Sequence, residues 1–335
     1  MKSKTSCSVV CCVIMSLITL GQASAQQLLA GERAANVTGI AGVVEAGAKW
    51  ELIWADFVYA DGIVGTPDGG LLLTVEQTDT IVKLDVNHNE YVLLENTNGG
   101  GAASMDASGR LYAVQRTCTE PFNPELPGCN ELTAVAMLAP THRILANSFP
   151  GGEPLGRLND LIADGKGGAY FTVGGAYYVN ADGEVSTVAD ENIRSNGIML
   201  SREGRSLYVT NSTEVLVFDV ARDGSTSNRR VFGSLNGDDG GDGMAIDSQG
   251  RLYITGNAGV HVLSVEGEYL GMIPTHRRAI TVAFSGPEKK TLYVSQIGVV
   301  GPDGKPYTTP EGIRPAASTI HAIPMLAQGF LARPK

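Results

Sequence analysis

The chain has 335 residues, 43% of them hydrophobic and 18% charged, with a formal net charge of −10. An acidic surface attracts neither nucleic acid nor an anionic membrane, which excludes both as expected partners and leaves a small molecule. The length alone allows two domains, but internal repetition argues for one.

Residues 1–25 carry a targeting pattern: Lys2 and Lys4, an apolar run from Val9 to Leu20, then Ala23-Ser24-Ala25 before Gln26. The run is too short to remain as a membrane anchor, and no second run of spanning length follows. The segment is therefore expected to be a cleaved signal peptide, and the protein to be exported, periplasmic or secreted. Its removal takes two lysines and no acid, moving the charge from −10 to −12. Cys7, Cys11 and Cys12 leave with it. Cys118 and Cys129 remain, and two cysteines closing a short loop in an oxidising compartment are expected to form one disulfide.

Residues 26–48 read as a loosely structured lead-in. "KWELIWADFVYA", from Lys49 to Ala60, reads as a single strand. A phrase then returns six times, in "DGIVGTPDGGLLLTV" from Asp61, "GGAASMDASGRLYAV" from Gly100, "RLNDLIADGKGGAYFT" from Arg157, "SNGIMLSREGRSLYVT" from Ser195, "GDGMAIDSQGRLYIT" from Gly241 and "AITVAFSGPEKKTLYVS" from Ala279. Each copy is a short apolar strand, a Gly-containing tip and a second apolar strand, usually followed by two more strands around a Gly turn. Period-two alternation without a helical stretch makes the chain all-β. A four-stranded unit repeated six times predicts a six-bladed β-propeller over residues 49–335, with antiparallel blades around a central channel. The strand at Lys49–Ala60 is expected to supply the outer strand of the last blade and close the ring.

This topology sends the residue before each inner strand to one mouth of the channel: Asp61, Gly101, Asn159, Asn196, Asp242 and the neighbourhood of Thr281. The insertions Arg116–Glu131 and Gln296–Ser318 fall on the same face, where long loops on a rigid scaffold tend to carry function. Asp61, Asn159, Asn196 and Asp242 all offer oxygen, a donor set suited to a hard divalent cation. Asn-Gly and Asp-Gly are also ordinary turn formers. The shared register of four such residues favours the metal reading. Arg157 is placed to meet a substrate, Asp160 reads as structural, and His276, Arg277 and Arg278 lie on the entrance side, with His276 read as a surface loop residue.

The four phrases from Arg157, Ser195, Gly241 and Ala279, taken together, resemble the regucalcin, gluconolactonase and luciferin-regenerating enzyme (senescence marker protein) family. The resemblance covers roughly Asp61 to Gln296. It implies a six-bladed propeller with one divalent cation in the channel, calcium first and magnesium, manganese or zinc as alternatives. Carried over by position, it implies Asp61, Asn196 and Asp242 as metal ligands, with Asn159 near metal and substrate and Arg157 at the substrate. Asp242 becomes the catalytic base. Two departures stand out: the first ligand is Asp61 where the family has Glu, and "FTVGG" replaces the family's "FTD". Glu76 follows the second strand of its blade and reads as a poor substitute for Asp61.

The function expected is a metal-dependent hydrolysis of a lactone or related cyclic ester by the single site of a monomer, with Asp242 activating water. The alternatives are a phosphoesterase or lyase on the same site, and a propeller that binds a ligand or partner without chemistry.

Overall fold

The computed structural model describes residues 32–118, 127–190, 192–237, 240–298 and 317–331. The expected signal segment 1–25, the start of the lead-in, half of the first long insertion and most of the second lie outside the described residues. Within them, the chain forms six four-stranded antiparallel sheets, the six-bladed propeller that the repeats predict. The inner strands of blades 1 to 6 are Ala60–Gly65, Gly100–Met105, Leu161–Ala163, Ile198–Leu200, Met244–Ile246 and Arg278–Ser285. The one helix among the described residues is a single turn at Pro287–Lys289, and no helix there is long and apolar enough to cross a membrane.

Burial follows radial position. The second strand of blade 1, Leu71–Val75, is buried at every residue, whereas its outer strand, Glu90–Glu95, is almost wholly exposed. Middle strands are covered on both sides because neighbouring blades pack face to face, so their sequences run apolar continuously rather than alternating. One core cluster joins Tyr170 and Tyr178 of blade 3 to Tyr208 and Phe218 of blade 4 and Ile254 of blade 5.

The ring closes as expected: Glu51–Asp56 pairs with Ser318–Pro324 as the outer strand of blade 6. The lead-in, by contrast, is firmly held. Val37, Val43, Val44 and Trp50 pack in one cluster with Val260, Ile273 and Phe284 of blades 5 and 6. The Arg33 N–H donates to the His276 carbonyl at 3.0 Å, and Trp50 Nε1 donates to the Pro274 carbonyl at 2.7 Å. Apolar residues spaced through a Gly-rich stretch gave no periodic signal, yet they had an exposed blade edge to cover.

Candidate functional site at the channel mouth

Asp61, Asn159, Asn196 and Asp242 line one small cavity on the propeller axis, together with Ala102, Asp160, Gly243, Ile280 and Thr281. Its volume of about 10 Å³ suits one water-sized occupant. Residues drawn from all six blades thus meet at the place the repeat register predicts. No group of three or more His, Cys, Asp or Glu side chains fit for a metal occurs among the described residues. The donor set is two carboxylates and two carboxamides.

Local backbone explains why these side chains reach the axis. In blades 3, 4 and 5 the inner strand starts two residues after Asn159, Asn196 and Asp242, leaving each outside the ladder. In blade 1 the ladder breaks register between Ala60 and Ile63, so Asp61 sits in an irregularity that re-aims it. The glycines that follow serve close approach rather than turning. A Cβ on Gly197 would lie 2.0 Å from the Asp242 carbonyl, and one on Gly62 2.6 Å from the Ala103 nitrogen.

A ring of hydroxyls then fixes the blades to one another. Thr172 Oγ1 donates to the Asn196 carbonyl at 2.5 Å while accepting from the Asp160 N–H at 3.0 Å. Thr255 Oγ1 donates to the Ile280 carbonyl at 3.0 Å, and Ser295 Oγ to the Ala60 carbonyl at 2.6 Å. Thr74 Oγ1 reaches the Gly101 carbonyl. Each bridge carries a second-strand side chain to the backbone at the start of the next blade's inner strand. Blade 2 has Val114 where these blades have Thr or Ser, and there Arg116 takes over. Its Nε donates to the Leu158 carbonyl at 2.8 Å and its Nη2 to the Asn159 carbonyl at 2.6 Å.

Arg116 also neutralises the first blade. Its Nη1 pairs with both Asp61 Oδ2 and Glu76 Oε1, and its side chain is 2% exposed. Burial works against its charge, but Asp61 and Glu76 hold its pKa above the usual arginine value. Burial pushes the Glu76 carboxyl up to about 7, with Asp61 adding to the rise and Arg116 opposing it. Glu76 therefore stands behind Arg116, one guanidinium from Asp61, and does not line the cavity.

Asp242 is placed differently. Among the described residues its carboxylate accepts from Arg278 Nη2 at 3.2 Å and from no other donor. Burial first, and then the Asp61 charge, push its pKa up to about 7. A carboxylate held near neutrality beside a small polar cavity can take a proton from water.

Other candidates fall elsewhere. Arg157 is exposed, donates to Asn130 Oδ1 at 3.3 Å, and does not line the axial cavity. Asp160 does line it, while accepting from the N–H groups of Leu161 at 2.8 Å and Ile198 at 3.3 Å. His276 is buried, its Nδ1 3.0 Å from the Arg33 carbonyl, because the lead-in covers it. The Sγ atoms of Cys118 and Cys129 lie 2.08 Å apart, at disulfide distance, and fix the base of the first insertion. Arg116 went unread as a site residue, and Glu76 was read only as a poor substitute for Asp61, because each follows a second strand, outside the register that marked the site. The Thr/Ser pattern was visible in "YFT", "LYVT", "LYIT" and "LYVS".

The profile of a family described as the SMP-30/Gluconolactonase/LRE-like region matches residues 59–298. This chain belongs to that family. Lactonase drp35 of Staphylococcus aureus (strain USA300) is 32% identical over 133 residues, which cover 35% of this chain and 41% of that relative. The match thus spans less than half the relative's length. A gluconolactonase from Xanthomonas campestris shares the fold at a TM-score of 0.64 and 21% identity, over 83% of this chain and 90% of that one. A calcium-binding protein from Agrobacterium tumefaciens, regucalcin, does so at 0.61 and 15%, over 84% and 95%.

Proposed function

We propose that this SMP-30/gluconolactonase-like propeller hydrolyses a lactone or related cyclic ester with the help of a divalent cation. The observation that carries the reading is the meeting of Asp61, Asn159, Asn196 and Asp242 around one axial cavity. The donor set fits such an ion in chemistry, being all hard oxygen. It fits in charge as well, since the raised pKa of Asp242 marks a buried carboxylate short of positive partners. Asp61, Asn159, Asn196 and Asp242 would hold the ion, which when bound supplies the positive charge that polarises an ester carbonyl. The lactonase and gluconolactonase names among the relatives support the reaction, and the regucalcin description favours calcium.

The chain's own groups do the rest. Asp242 accepts a proton from the attacking water. Asn159 offers its carboxamide within the cavity, its backbone fixed by Arg116. Arg157, held by Asn130 beside the Cys118–Cys129 loop, contributes at the rim. The reading includes export, with the disulfide formed in that compartment.

Lactone hydrolysis followed by pH-stat on a panel of sugar and aromatic lactones tests the proposal. Turnover should vanish with a chelator and return with calcium or manganese. Full activity after complete metal removal, or in Asp242→Asn, would sink it. Absence of bound metal together with absence of turnover would favour the propeller that binds without chemistry.

A further inference from the structure

Beside the axial cavity lies a larger one of about 790 Å³, sharing Asn196 with it and lined also by Arg194, Ser195, Ser212, Asn257 and Arg278. The size is that of a small-molecule pocket. Two guanidinium groups border it, and no carboxylate does among the described lining residues. On a chain of net charge −10, a pocket with that local balance is set against the general field.

The arginines are presented on fixed backbone. Arg194 is exposed, and its guanidinium donates no hydrogen bond among the described residues. Its backbone is clamped: the Arg194 N–H donates to Asn211 Oδ1 at 2.9 Å, and its carbonyl accepts from the Ser212 N–H at 3.2 Å. Ser212 holds a φ of 56°, and its carbonyl accepts from the Gly241 N–H at 2.9 Å, tying the wall of blade 4 to that of blade 5. Next in the chain, Ser195 Oγ donates to the Gly175 carbonyl at 2.7 Å. Arg278, half exposed, meets Asp242 at 3.2 Å, longer than a strong charge-assisted bond.

Resting on the hydrolase reading, we infer that the substrate is a lactone bearing a carboxylate, which Arg194 and Arg278 grip in the larger cavity. Guanidinium forks match carboxylates in shape and charge better than they match sugar hydroxyls. Arg278 already contacts one carboxylate, that of Asp242. A substrate carboxylate offers the same guanidinium a second partner across the cavity. Arg194 is thus a specificity-determining residue.

The test compares D-glucaro-1,4-lactone, which carries a carboxylate, with neutral D-glucono-1,5-lactone. The carboxylated lactone should have the higher kcat/KM by about tenfold or more. Arg194→Ala should lower the ratio of the two kcat/KM values by about tenfold, with Arg194→Lys between. Calorimetric titration with D-glucarate, the open-chain dianion, should show binding that weakens by a similar factor in Arg194→Ala. Equal or better turnover of the neutral lactone, with glucarate binding absent or unchanged in Arg194→Ala, overturns the carboxylate site and leaves the hydrolase standing. Arg194-dependent glucarate binding without turnover of either lactone overturns the hydrolase reading and leaves the anion site standing. Circular dichroism of each variant identifies misfolding, in which case Arg194→Gln replaces it.

Discussion

Asp242 and Asp247 stand five residues apart, at opposite ends of the same inner strand, and their surroundings differ in kind. At the tip, Asp247 is fully buried and saturated with donors. It accepts from the N–H groups of Gln249 at 2.8 Å and Arg251 at 3.0 Å, from Arg251 Nε at 2.5 Å and from the Tyr253 hydroxyl at 3.0 Å. At the mouth, Asp242 has Arg278 at 3.2 Å and otherwise faces the cavity. One face of the ring satisfies its carboxylates within a single turn. The other leaves Asp242 with a single long contact, and a buried charge kept that way points to a ligand or to chemistry.

Changes at the two ends should therefore separate activity from stability. Asp242→Asn is expected to lower kcat for lactone hydrolysis by 10²- to 10⁴-fold, a general-base effect, without lowering the melting temperature. A large loss of stability in this variant would erase the contrast. Arg116→Met should do the reverse of that pattern, destabilising the fold by about 3–5 kcal/mol in chemical denaturation, because Asp61 and Glu76 would be left as buried carboxylates without their cation. Retention of wild-type stability there would show that Arg116 is not the anchor of the first blade.

The mouth end of blade 6 adds a pH-dependent test. His321 is buried, and burial, with help from the His276 and Arg277 charges, lowers its pKa to about 3. Its folded pKa is below the unfolded value of about 6.5, so the unfolded chain binds the proton first as pH falls. Stability should drop between about pH 6.5 and pH 3, by about 3 kcal/mol at pH 4 relative to pH 7, and His321→Gln should flatten that slope. At the tip, Asp247→Asn should cost about 2 kcal/mol through weakened charge-assisted bonds while leaving kcat unchanged. The smallest effect belongs to the hydroxyl ring. Thr255→Val should cost about 1 kcal/mol by removing the bond to the Ile280 carbonyl, seen as a small fall in the urea midpoint.

Register made the site legible. The repeats put Asp61, Asn159, Asn196 and Asp242 at equivalent positions, and a ring brings equivalent positions to its axis. The glycines after them were legible as residues but not in their role. Read as turn formers, Gly62 and Gly197 prove to be places where the next blade's backbone comes too close for a Cβ. Arg116 was hidden for a different reason. It replaces, from two residues further along the chain, the hydroxyl that Val114 lacks, and a substitution of one chemistry by another at a shifted position leaves no repeat to notice. The lead-in escaped for want of periodicity.

By itself the sequence determined the blade count, the ring closure by a strand within Lys49–Ala60 and the four oxygen-bearing residues, because strand period and repeat register are properties of chain order. Tertiary structure decided which charges are neutralised. Arg116 spans blades 1, 2 and 3, and Arg278 crosses from blade 6 to blade 5. Coulomb energy and desolvation depend on distances through space, and those distances exist only once the ring has closed.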